Sequence, residues 1–282
     1  MSFFEKLSYK TTTFISLGSA CDVAFFLDEM KLRSRSFPFD WLWNHYSGLE
    51  FVSKSLKNKF QNLMIPENYQ ISTHYRFPYP VVTYKTDSKV AHLHSNPLVN
   101  IEDHLILVKR YNRLIKELFS NSFKNFIYYR KFPEDTLIGL TYHLEESFER
   151  IIAESEIFID ALLKEFPDIK SRFHLLLIVQ VEPKQIKSAK LLLDKFRGKS
   201  KLNSSITLEV GVTRNIDDNH HLELWSSEFR RVLLKQKKIP IILKLKITGL
   251  SIIKQIKKMK LSLKIWLIKK FLKVANKLPF FD

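Results

Sequence analysis

A single thiol, nine histidines and a few carboxylates set among aromatics are the groups in this 282-residue chain whose types and spacing could do covalent chemistry. The thiol, Cys21, stands in Ile15-Ser16-Leu17-Gly18-Ser19-Ala20-Cys21-Asp22. The β-branched, apolar run 11–17 predicts a buried strand, Gly18 to Ala20 a tight turn, and Asp22 to Lys31 a helix with Val23, Phe26, Leu27 and Met30 on one face. Cys21 then falls at or beside the first helical residue. Free N–H groups and partial positive charge at a helix N-terminus stabilise a thiolate, and could stabilise an oxyanion formed beside it. A buried structural cysteine would leave the same local pattern, because free cysteines are among the most buried residues.

A thiolate nucleophile calls for a base, most often histidine. His92 and His94, in Val90-Ala91-His92-Leu93-His94, alternate as on one face of a strand. That face could look into a cleft or into solvent. Asp40, in Phe37-Pro38-Phe39-Asp40-Trp41, is a carboxylate among aromatics and must be paired or hydrogen-bonded. It could orient a histidine, cap a helix, or pair with Arg33 or Arg35.

The elements that would position these groups follow a strand–helix alternation. Strands are expected at 81–84, 89–93, 125–129, 173–181 and 205–212. Helices are expected at 47–60, 102–120, 145–165, 183–196 and 222–235. In the 102–120 helix the stripe is Leu105, Val108, Leu114, Ile115 and Leu118. This order predicts an α/β fold with a largely parallel central sheet flanked by helices.

The formal charge of +17 is unevenly spread. Residues 235–282 hold 14 lysines, no arginine and one acid, Asp282, for +13, which leaves +4 for the first 234 residues. The chain therefore divides into a body, 1–238, and a basic C-terminal helix, 239–282, with Pro240 at the boundary. Lysines interleaved with large apolar residues over 241–278 fit an amphipathic helix on an anionic membrane surface, and equally a helix packed on the core with a solvated lysine face. The absence of arginine and the many aliphatics rank nucleic acid lower as a partner. No run of about 18 apolar residues is free of charge. One cysteine permits no intramolecular disulfide and no multi-cysteine zinc site, and suits a reducing cytoplasm. No glycine-rich phosphate loop and no metal-ligand spacing occurs, so neither cofactor nor metal is expected.

The N-terminal half resembles a bacterial family described as papain-like cysteine peptidases, DUF1796. Two blocks carry the likeness, Ile15 to Ala24 around Gly18 and Cys21, and Leu32-Arg33 followed by Ser36-Phe37-Pro38-Phe39-Asp40-Trp41. In a third, His92 precedes the basic stretch Lys109 to Leu114 and the strand Phe126 to Tyr129. There Leu93 stands where the family has an aspartate, which leaves His92 and His94 as alternatives. The resemblance implies a Cys–His hydrolase working through a thioester, with Cys21 as nucleophile, His92 as base and Asp40 in support. Ser19, Arg33, Trp41 and His94 are then candidates for substrate contacts, His94 also as the alternative base. The substrate would be a peptide or an acyl or glycan group, and the protein cytoplasmic or peripheral on the inner membrane. An acyltransferase acting on a surface polysaccharide, and a non-enzymatic membrane-associated protein of polysaccharide biosynthesis, are the alternatives.

Overall fold

A computed structural model describes residues 12–19, 21–44, 47–74, 79–132, 143–199, 205–212 and 218–275. By internal contacts the chain separates into two compact units, Met1–Lys238 and Ile239–Asp282.

The first unit is α/β. Strands β1 (Thr12–Ser16), β6 (Phe123–Lys131), β7 (Phe173–Val181) and β8 (Ile206–Val212) form a parallel sheet in the order β1-β6-β7-β8. All nine residues of β7 are buried. That is why its sequence, Phe-His-Leu-Leu-Leu-Ile-Val-Gln-Val, reads as a continuous apolar run: an inner strand of a covered parallel sheet has no wet face. Parallel neighbours need crossovers. Helix α4 (Leu144–Glu165) carries the chain from β6 to β7, and α5 (Ile186–Lys199) from β7 to β8. Helix α6 (Asp218–Lys235) follows β8.

The link from β1 to β6 holds a second sheet that the sequence shows only in part. Helix α1 (Asp22–Glu29) leads to a 3-10 turn at Pro38–Trp41. From there run β2 (Leu42–Trp43), α2 (Gly48–Leu56), β3 (Tyr69–Thr73), β4 (Pro80–Tyr84), β5 (Asp87–His92) and α3 (Ile101–Phe119). These strands form an antiparallel sheet, β2-β5-β4-β3. One buried cluster joins Ile15, Phe126 and Leu175 of the first sheet to Tyr69, Tyr84 and Val90 of the second.

Two expectations shift. The helix expected at 47–60 stops at Leu56, where Asn58, Lys59 and Phe60 take left-handed backbone angles (φ 58°, 51° and 63°) that no α-helix continues through. The stripe of α3 is Leu107, Tyr111, Leu114 and Leu118, while Leu105 lies exposed. Residues 105–108 are all apolar, so periodicity alone leaves the face ambiguous. The Tyr111 hydroxyl, 3.1 Å from that of Tyr84, belongs to the buried side and fixes it. Asn100 starts α3 by accepting the Glu102 amide at 2.9 Å and the Asp103 amide at 3.4 Å.

Candidate active site around Cys21

The parallel sheet ends its first strand at a turn that only particular residues tolerate. Gly18 and Ser19 both have positive φ, 90° and 83°. A Cβ on Gly18 would sit 2.1 Å from Asn44 Oδ1, so the position is closed to any side chain. The Ser19 amide donates to Asn44 Oδ1 at 2.5 Å. The Asn44 amide in turn donates to Leu17 O at 3.2 Å and to Gly48 O at 3.1 Å. Asn44, fully buried, thus clamps the turn to the start of α2. A buried ion pair closes the other side of that helix start. Arg130, at the end of β6, donates to both carboxylate oxygens of Glu154 on α4, at 3.0 and 3.2 Å. Glu154 also accepts from the Leu49 amide at 3.0 Å and from Arg150 at 2.8 Å.

Past this turn, Cys21 is the N-cap residue of α1 and is partly buried. Its carbonyl accepts the Phe25 amide at 3.0 Å, and its side chain makes no capping bond. The first-turn amides of α1 are the ones a helix leaves without intrahelical acceptors. Strand direction puts Cys21 at the carboxyl edge of the sheet, where open parallel sheets bind ligands. Next to it, Asp22 Oδ2 accepts from the Tyr129 hydroxyl at 2.6 Å. Burial, then the Asp22 carboxylate, raise the Cys21 thiol above its ordinary range, with its own backbone hydrogen bond pulling the other way. Desolvation and an adjacent anion thus act against the depressed thiol that a helix N-terminus leads one to expect. Burial, then Asp22 and Cys21, likewise hold the Tyr129 hydroxyl well above its usual range.

Each of the expected partners of the thiol has bonded neighbours of its own. His92 is buried in the antiparallel sheet, with Nε2 3.0 Å from the Tyr84 hydroxyl and its ring among Tyr69 and Tyr84. Burial, then the Arg110 charge, push its pKa down to about 3. Among the described residues no hydrogen bond joins a histidine to Cys21. The groups acting on the thiol are burial, Asp22 and its own backbone; those acting on His92 are burial and Arg110. His94 does not share the face of His92, because β5 ends at His92 and the alternation ends with it. His92 is buried and His94 exposed. Strands β2 and β5 pair antiparallel, with Trp43 opposite Ala91 and Leu42 opposite His92. The chain from His92 to His94 therefore leads away from Asn44 and from the turn it holds.

Among the described residues no hydrogen bond joins Asp40 to a histidine. Its Oδ2 accepts from Arg33 at 2.8 Å and from the Phe37 amide at 2.8 Å, which caps the Pro38–Trp41 turn. Burial pushes its carboxyl up, and Phe37 N–H and Arg33 draw it back. Arg33 also reaches Asp28 at 3.1 Å and lies 5.5 Å over the Trp41 ring, whose other neighbour is the His94 ring at 5.6 Å. Trp41, His94, Asp103, Leu107 and Arg110 line a shallow cleft of about 250 Å³. The structure thus gathers Arg33, Asp40, Trp41 and His94 in one place and Cys21 with Ser19 in another.

Asn44, Asp22, Tyr129, Arg130 and Glu154 were not foreseen. Arg130 had a legible signal, since an arginine inside the apolar strand 123–131 must find a buried anion. Asn44, 25 residues from Ser19, had none. Among the described residues no three His, Cys, Asp or Glu side chains converge as a metal site would require.

No curated protein and no solved structure matches the chain. Over residues 12–126, a stretch that runs from β1 through the Cys21 turn and the Phe37–Trp41 block into β6, the chain matches the family described as "Putative papain-like cysteine peptidase (DUF1796)", the family its sequence resembles.

Proposed function

We propose that the protein is a papain-like cysteine hydrolase whose nucleophile is Cys21. The observation that carries this reading is the placement of the chain's one thiol: N-cap of α1, at the carboxyl edge of the parallel sheet, behind a turn held in left-handed backbone by Asn44. Cys21 lies within the residues 12–126 that match the family.

The chemistry is acyl transfer through sulfur. The Cys21 proton passes to a base, and the thiolate attacks the substrate carbonyl carbon. The first-turn amides of α1 face the oxygen that gains charge. The bond to the leaving amine or alcohol breaks, that group takes the proton, and a thioester remains on Cys21. Water then attacks the thioester and restores the thiol. Burial and Asp22 favour the neutral thiol, so the base takes the proton as the sulfur attacks. The structure keeps His92 against Tyr84. His45, which follows Asn44 in the sequence, lies outside the described residues.

The test is acylation by a 4-nitrophenyl ester, followed by intact and peptide mass spectrometry. The expected result is a burst of nitrophenolate with one acyl group on Cys21, absent in Cys21→Ala at unchanged melting temperature. An adduct elsewhere, or an equal burst from Cys21→Ala, overturns the assignment. Single His45→Ala, His92→Ala and His94→Ala variants then identify the base by loss of the burst. Adding a sugar acceptor separates hydrolysis from transfer.

A further inference from the structure

Among the described residues, the second unit holds one long helix, α7 (Ile241–Ala275). Its 35 residues include ten lysines and no acid. No helix among the described residues is long and apolar enough to cross a membrane. Yet α7 leaves large apolar side chains in water. Leu245, Ile252, Ile256, Met259, Leu263 and Trp266 are all exposed, Met259 to 71% and Trp266 to 55%. Their positions, with Gly249, alternate by four and three residues, so they form one stripe along the helix. Leu261 and Ile265, also exposed, lie on the opposite flank, where neighbouring lysines can bury their aliphatic stems and keep their charge wet. An exposed stripe of this length marks a surface that something covers.

The charge decides among occupants. A second copy would set ten lysines against ten with no acid on either helix to answer them. A nucleic acid would answer the charge and leave the aliphatic stripe and Trp266 in water. An anionic lipid surface meets both: headgroups take the lysines, the acyl boundary takes the stripe, and an indole is favoured at that boundary. We propose that α7 docks the protein on an anionic membrane, lying in the surface plane with Leu245 to Trp266 turned into the lipid.

The experiment is co-sedimentation of the full chain with vesicles. Expected is binding to phosphatidylcholine vesicles containing phosphatidylglycerol, at least tenfold weaker binding to phosphatidylcholine alone, and at least tenfold loss in Ile256→Glu/Leu263→Glu with Trp266 fluorescence no longer blue-shifted. Failure to bind anionic vesicles overturns the proposal. So does equal binding by the double variant, which would reduce the interaction to charge alone. So does lipid-free self-association at micromolar protein that the double variant abolishes, since the stripe would then serve a second copy. Circular dichroism of the variant, with helix content unchanged, separates lost docking from lost structure.

Discussion

The two ends of α1 are furnished differently, although both are rich in polar groups. At its N-terminus, Asp22 accepts from Tyr129, and the Ser19 turn just before Cys21 is bonded to Asn44. Just past its C-terminus, Arg33 is tied to Asp28 and Asp40 and packed on Trp41, whose indole also meets the His94 ring edge-to-face. Eight helical residues separate them, about 12 Å. The first end keeps the chain's one thiol partly exposed at the N-cap of the helix. The second satisfies its charges with one another and presents only a shallow cleft. Polar residues close in sequence thus divide between the proposed reactive end and a corner whose charges pair with one another.

That contrast can be broken at several points. The largest effect is expected behind the reactive end. Glu154→Ala leaves Arg130 buried without its carboxylate and should cost about 3–5 kcal/mol of folding stability in urea unfolding. A loss under about 1 kcal/mol would show that the ion pair does not support the Cys21 turn.

The next concerns His92. Its folded-state pKa of about 3 lies below the unfolded value near 6.5, so the unfolded chain binds more protons between those limits. Its contribution is fully present above about pH 6.5 and is lost as the pH falls toward 3, by up to a few kcal/mol. His92→Phe should flatten this acid limb by about one proton. His174, lowered to about 4 by burial, titrates in the same window and keeps its share. A stability loss on raising the pH through 6–7, also abolished by His92→Phe, would instead mean a histidine paired with an anion such as a thiolate.

Asn44→Ala removes the acceptor for Ser19 N–H and the donor to Leu17 and Gly48, and should cost about 1–3 kcal/mol. It should also slow nitrophenyl ester acylation of Cys21 more than Asn44→Asp, which keeps the acceptor.

A smaller effect is expected from Asp22→Asn. Removing the anion that raises the thiol should lower the Cys21 pKa and speed alkylation by iodoacetamide at pH 8 about two- to fivefold. An unchanged rate would leave burial as the sole cause. The smallest belongs to the other end of α1, where His94→Ala at an exposed position should change stability by no more than about 0.5 kcal/mol and leave Cys21 acylation alone.

Local chemistry was legible where one residue forces one outcome. The run 173–181 fills both faces of an inner strand, Gly18 marks a turn that excludes a Cβ, and Cys21 starts the helix that follows. Lysine without acid over 241–275 defines the tail's charge whatever it touches. Tertiary structure alone decided which polar groups meet. His92 and His94 share a strand parity, but β5 ends between them, so one is buried and the other exposed. Asp40 went to Arg33 because a buried carboxylate takes the nearest fixed cation and amide. Asn44 meets Ser19 only in the folded chain, 25 residues on in the sequence. Spacing along the chain governs faces and caps, where neighbours are a few residues apart. Contacts across 25 or 100 residues depend on how whole elements pack, and no local pattern encodes them.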